Sequence, residues 1–237
     1  MFTSDDRIRI KDNLNTIKDR IATAAKRSGQ NVEDIMLVAV SKNFPVDAIE
    51  VAIEEKIMNF GENRVQELIQ KYDILSERCK WHLIGSLQTN KVKYIIDKVH
   101  MIHSLDRLKL AEEIQKRAES CNRVIDCLIQ VNVSGENTKA GISPDEVYEF
   151  AKAVSQYPNI KVKGLMTIAP YTEHPENVRY VFKQLKNISV DIDQENIDNI
   201  DMRYLSMGMS HDFEIAIEEG ANIVRIGSSI FGERKYG

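Results

Sequence analysis

The sequence predicts an α/β protein: a single (β/α)8 TIM barrel with an extra N-terminal helix. Three observations predict it. Eight short β-rich apolar runs alternate with longer amphipathic stretches. Several of those runs are apolar on both faces, as parallel strands covered by helices are. No linker rich in Pro, Gly or Ser divides the 237 residues. Eight strand–helix units in about 200 residues is the size of such a barrel. An open doubly wound sheet is the competing arrangement, weakened by the lack of a GxGxxG fingerprint. The expected domain is therefore residues 1–237, with a helix over 4–28 packed on the barrel.

That leading helix carries Ile10, Leu14, Ile17, Ile21 and Ala24 at three- and four-residue steps. Ser4 is the expected N-cap, Asp5 and Asp6 suit the positive end of the dipole, and Gly29 suits the stop. The strand runs follow at 35–41, 56–61, 80–85, 99–105, 124–133, 161–168, 202–207 and 222–227. Helical patterns lie near 46–55, 63–76, 89–96, 106–120, 144–156, 174–190 and 211–219.

Composition narrows the function classes. The chain is 43% hydrophobic and 29% charged, which excludes disordered and collagen-like sequence. Acids outnumber bases 36 to 32, a net charge of −4, too balanced for an electrostatic nucleic-acid binder. The longest apolar run, Ile35–Val40, is far short of the ~20 residues that span a bilayer, so no membrane partner is expected. The charged N-terminus has no apolar signal region, and Cys79, Cys121 and Cys127 form no CxxC pair. A cytoplasmic protein with free thiols is expected.

In a barrel of this kind the functional face is the C-terminal end of the strands. Strand one ends Val38-Ala39-Val40-Ser41-Lys42, and alternation puts Val38, Val40 and Lys42 on one face. Lys42 is either a lysine snorkelling to solvent or, desolvated, an amine that condenses with an aldehyde. Strand eight ends Ile223-Val224-Arg225-Ile226-Gly227-Ser228, with Arg225 on the same face as Lys42. Arg225 reads as an internal salt bridge or a ligand contact. Gly227 and Ser228, after strand eight, stand where this fold usually binds phosphate. Ser210 is expected to cap the 211–219 helix, a role compatible with binding the same anion. Asn63, past Gly61 at the end of strand two, either caps the next helix or contacts a ligand. Arg64 and Glu67 are expected on the solvated face of that helix, and His82 as a hydrogen-bonded core histidine. No metal site is expected: in an extended strand His100 and His103 fall on opposite faces. The polar loop Ser134–Gly141 is either a plain surface loop or a lid that brings Lys139 near the site.

VAVSK at 38–42, FGENRVQE at 60–67, WHLIGSLQTNK at 81–91, LSMGMSHD at 205–212 and VRIGSSIFG at 224–232 stand together in one order. With these motifs the sequence resembles the pyridoxal phosphate homeostasis proteins, themselves similar to the barrel domain of alanine racemases. The one departure is Ser228, where threonine is expected in many members, and the hydroxyl is kept. The resemblance implies pyridoxal 5′-phosphate (PLP) as cofactor, held by Lys42 as a Schiff base. It further implies Arg225 against the pyridine nitrogen, Ser210, Gly227 and Ser228 on the phosphate, and Asn63, Met166, Ser206 and Met207 along the ring. No residue is assigned to catalysis. The implied function is a non-catalytic carrier and regulator in PLP homeostasis, a monomer or weak dimer serving PLP-dependent apo-enzymes. The alternative is an amino-acid racemase of the alanine racemase type. That reading needs a second base that alanine racemases take from a separate domain, which a chain ending at Gly237 is expected to lack.

Overall fold

The computed structural model describes residues 2–136 and 139–232. Helix α1 (Ser4–Ser28) is stopped by Gly29 at φ 72°, the left-handed position glycine tolerates best. Its cap is Thr3, not Ser4. The Thr3 hydroxyl accepts from the Asp6 N–H while the Asp6 carboxylate accepts from the Thr3 N–H, a reciprocal box that Ser4 is one residue too late to form. The apolar stripe Ile10, Leu14, Ile17 and Ile21 is fully covered by this chain's own barrel, at roughly 2 kcal/mol per side chain.

The eight strands are β1 (Met36–Val40), β2 (Asn59–Glu62), β3 (Lys80–Leu83), β4 (Met101–Leu105), β5 (Ile125–Gln130), β6 (Ile160–Met166), β7 (Ile200–Ser206) and β8 (Ile223–Ile226). They are parallel and close in sequence order, β8 returning to β1 with Val38 opposite Arg225. Around them lie α2 (Val46–Glu54), α3 (Val65–Leu75), α4 (Leu108–Ser120), α5 (Val147–Val154), α6 (Arg179–Gln194), α7 (Phe213–Glu218) and α8 (Ser228–Phe231). Between β3 and β4 the expected helix is a 3-10 turn over Thr89–Tyr94. The patterns at 144–156 and 174–190 likewise begin as 3-10 turns at Pro144 and Pro175, residues that lack the N–H a helix interior needs.

Alternation sorts the strand side chains into two layers. Val38, Met101, Leu128, Met166 and Ile223 fill the barrel interior, and the larger core lies between strands and helices. Among the described residues no helix is long and apolar enough to cross a membrane. All three cysteines are free thiols, Cys79 and Cys127 buried and Cys121 exposed.

Candidate functional site

A cavity of about 280 Å³ opens at the C-terminal ends of β1, β2, β3, β6, β7 and β8. Six expected residues line it: Lys42, Asn63, Ser210, Arg225, Gly227 and Ser228. Val40, Phe44, Ile84, Ile168, Met209, His211 and Gly232 complete the wall. Among the described residues its lysine and arginine side chains are Lys42 and Arg225, and no Asp or Glu lines it.

Strand register accounts for the placement. Val38 and Val40 point inward, which carries Lys42 to the rim. Arg225 sits two residues beyond inward-facing Ile223. Asn63 does not cap α3; the cap position is Arg64, and no side chain closes it. Gly85 packs directly on the Asn63 backbone, where any Cβ would lie 2.4 Å from the Asn63 carbonyl oxygen. Ser210 does not cap α7 either. Asp212 takes that position and accepts from the Met209 N–H at 2.6 Å, which turns the Ser210 hydroxyl toward β8. There Ser228 donates to it at 3.1 Å. Gly208, at φ 89°, makes the turn possible, since a Cβ there would strike Ala216 at 2.6 Å.

The other three expected residues do not line the cavity. Met166 lies in the apolar interior below it, and Met207 points outward into the core between strands and helices. Ser206 and Met207 are adjacent in an extended segment, so only one can face inward. Ser206 does, but behind Arg225: it accepts from Arg225 Nη1 at 2.6 Å, while Nη2 donates to the Thr167 carbonyl at 2.9 Å.

Ser206 begins a hydrogen-bonded column through the barrel. Its Oγ is 2.9 Å from His103 Nδ1, His103 Nε2 is 2.9 Å from His82 Nδ1, and His82 Nε2 is 3.1 Å from Asn59 Oδ1. One proton assignment, made from the network, satisfies every group: Ser206 donates to His103 and both imidazoles carry the proton on Nε2. Burial pushes His82 down to about 3 and holds His103 well below the usual histidine range, so both rings are neutral at pH 7. Burial also lowers Arg225 to about 10, against the pull of Asp212, and the guanidinium keeps its charge. His82 is thus the hydrogen-bonded core histidine its context suggested. His100 and His103 are not on opposite faces, because His100 lies in the bend before β4; both rings touch His82, with centroids 5.5 and 5.1 Å away. Among the described residues no group of three His, Cys, Asp or Glu side chains is arranged to hold a metal ion.

Glu67 is the main residue that pattern reading misplaced. It is not on a solvated face but accepts from the Asn43 N–H and from Lys71 Nζ, the latter at 2.8 Å. Lys139 pairs with Glu136 at 3.2 Å and borders a neighbouring recess that shares Asn63, Ile84 and Ile168 with the cavity. Asn137 and Thr138 of that loop lie outside the described residues.

A family model described as the alanine racemase N-terminal domain matches residues 12–235. A protein of Aquifex aeolicus named pyridoxal phosphate homeostasis protein is 49% identical over 226 residues, covering 95% of this chain and 98% of its own. The chain belongs to the pyridoxal phosphate homeostasis protein family. An Escherichia coli member is 38% identical over 96% of this chain and 97% of its own. The family structure PipY of Synechococcus elongatus, solved with PLP bound, superposes with a TM-score of 0.79 at 33% identity, covering 91% of this chain and all of that one. Alanine racemase of Clostridium difficile shares the fold, with a TM-score of 0.76 at 17% identity over 96% of this chain and 57% of its own.

Proposed function

We propose that this chain binds PLP reversibly through Lys42 and serves as a cytoplasmic carrier and regulator of the cofactor. The observation that carries the reading is the donor set of the cavity. A primary amine, a buried guanidinium and two hydroxyls beside the first turn of α8 converge on it. That set fits an aldehyde bearing a phosphate dianion. The names of the curated relatives and the PLP in PipY support the same reading.

Bound PLP supplies an aldehyde carbon that an amine captures and a pyridine ring whose protonation governs its power as an electron sink. Lys42 provides the amine. Ser210, Ser228 and the Gly227 backbone hold the phosphate. Arg225, fixed by Ser206 and Thr167, presents its charge to the pyridine nitrogen and disfavours its protonation, which weakens carbanion chemistry. No tyrosine lines the cavity among the described residues, which disfavours a two-base racemase. Tyr171 is exposed and stacks edge-on against His211, and Tyr204 packs on the apolar interior. Tyr236 lies outside the described residues. Residues 1–237 act as one unit, monomeric or weakly dimeric, that delivers PLP to apo-enzymes.

The test is borohydride reduction followed by peptide mapping. The purified protein is expected to be yellow, with the reduced adduct on Lys42 and none in Lys42→Ala. Protein that stays colourless on adding PLP overturns the reading. Hydrogen exchange at Cα of L- and D-alanine in deuterated water separates carrier from enzyme. Exchange at turnover rates, abolished by Lys42→Ala, would establish the racemase instead.

A further inference from the structure

The turn that carries Lys42 is gripped from its outer side by a buried charge cluster for which cofactor binding alone gives no reason. Ser41 points away from the cavity, and its hydroxyl donates to Glu62 Oε1 at 2.6 Å. Lys71 of α3 donates to the same oxygen at 2.7 Å, to the Ser41 carbonyl at 2.7 Å and to Glu67 Oε1 at 2.8 Å. Glu67 in turn accepts from the backbone N–H of Asn43. Asn43 stands at φ 66°, in the left-handed region, so this turn is not the conformation the chain adopts most readily. Residues 41 and 43 are thereby tied at three atoms, two to α3 and one to Glu62 at the end of β2, and Lys42 is the residue between them.

The cluster is expensive to bury. Glu62 is fully buried, and the side chain of Lys71 is 7% exposed. A buried ion pair of this kind is often no more stabilising than apolar residues of the same volume. Among the described residues Glu62 Oε2 has no hydrogen-bond partner, a further cost that packing does not explain. What the charges accomplish that apolar residues would not is directional: they hold a carbonyl, a hydroxyl and an amide on either side of one lysine.

We propose that Lys71, Glu62 and Glu67 form a positioning clamp that fixes the backbone of Lys42 and so sets how long PLP stays on its amine. The inference rests on Lys42 being the residue that captures PLP. None of the three residues lines the cavity, so each acts through the β1–α2 turn and not by touching the cofactor. The clamp makes retention of the cofactor adjustable from α3, outside the cavity.

The experiment compares wild type, Glu67→Ala, Glu67→Gln and the double variant Glu62→Gln/Lys71→Met. The double variant removes both buried charges together and avoids stranding one of them. Two quantities are read below the melting transition of each protein: the PLP dissociation constant, and amide hydrogen exchange over residues 41–44 in protein free of PLP. In Glu67→Ala and in the double variant both are expected to rise by about tenfold, the effect of losing a charge-assisted bond. Exchange in the middle of α3 should stay as in wild type. Glu67→Gln, whose amide oxygen still accepts from Asn43, should recover most of the difference. A clamp that only braces the fold would lower the melting temperature and leave PLP affinity within about twofold of wild type in every folded variant. That result overturns the proposal, as does unaltered exchange at Asn43. Wild-type protein that takes no PLP sinks the cofactor reading, and the exchange arm then decides the clamp by itself.

Discussion

Lys42 and Arg225 are held by opposite sides of the barrel wall. Arg225 is pinned at its guanidinium: the Ser206 hydroxyl and the Thr167 carbonyl accept hydrogen bonds from it, and behind Ser206 two neutral histidines extend the support to Asn59. The support for Lys42 grips its neighbours, Ser41 and Asn43, from the layer between β1 and α3. The difference follows from what the proposed reading asks of each. A guanidinium that sets the electrostatics of a pyridine nitrogen is useful only at a fixed position. An amine that forms and releases a covalent bond needs its base held and its head able to change partners.

The comparison can be broken first at the outer wall. Lys71→Met alone should cost about 4 kcal/mol in urea-induced unfolding, because it leaves the buried Glu62 carboxylate without its partner. Adding Glu62→Gln should restore most of that loss. On the inner side, Ser206→Ala removes the acceptor of a buried charged donor and should cost about 2 kcal/mol. It should also shift the absorption of the bound cofactor, a change the outer-wall variants are not expected to share.

Acid sharpens the contrast further. His82 titrates near 6.5 in the unfolded chain and near 3 when folded, so the unfolded state binds more protons between those values. Its contribution to stability is complete above pH 6.5 and is lost as the pH falls toward 3. Between pH 7 and pH 5 the loss is about 2 kcal/mol for His82, and His103 acts in the same direction. Urea titrations at the two pH values measure it, and His82→Gln should flatten the dependence. The smallest effect is a control: Thr3→Ala should cost about 1 kcal/mol through the lost cap and leave PLP affinity as it was.

Much of this was legible in the sequence, and the limits have a physical pattern. Period-two alternation located Lys42 and Arg225 on the inner face, because strand register leaves a side chain only two directions. The same rule, applied strictly, removes Met207 from the cavity once Ser206 faces in. Contacts that join elements distant in sequence were not legible. Glu67 looks solvent-facing from helical spacing alone, and it becomes a ligand of the Asn43 amide only when that turn enters the left-handed region. His103 meets His82 on the neighbouring strand and Ser206 across the interior only once the barrel has closed. Ser210 matched a cap by position, but the helix starts two residues later, with Asp212 at the cap position and its carboxylate turned back to the Met209 N–H.

Helix α1 lies against α7 and α8, and Asn13 donates to the Ile230 carbonyl across 217 residues of sequence. Arg20 and Arg27 tie the same helix to Glu214 and Glu218. The corner formed by Ser210 and Ser228, proposed to hold the phosphate, is therefore built where some of the most distant parts of the chain meet. Closure across such separations is slow, and it comes after the local strand–helix units have formed. On a ribosome, a nascent chain would carry Lys42 early and gain the proposed anion corner last. Colour acquired on adding PLP would then report that synthesis and closure of the ring are both complete.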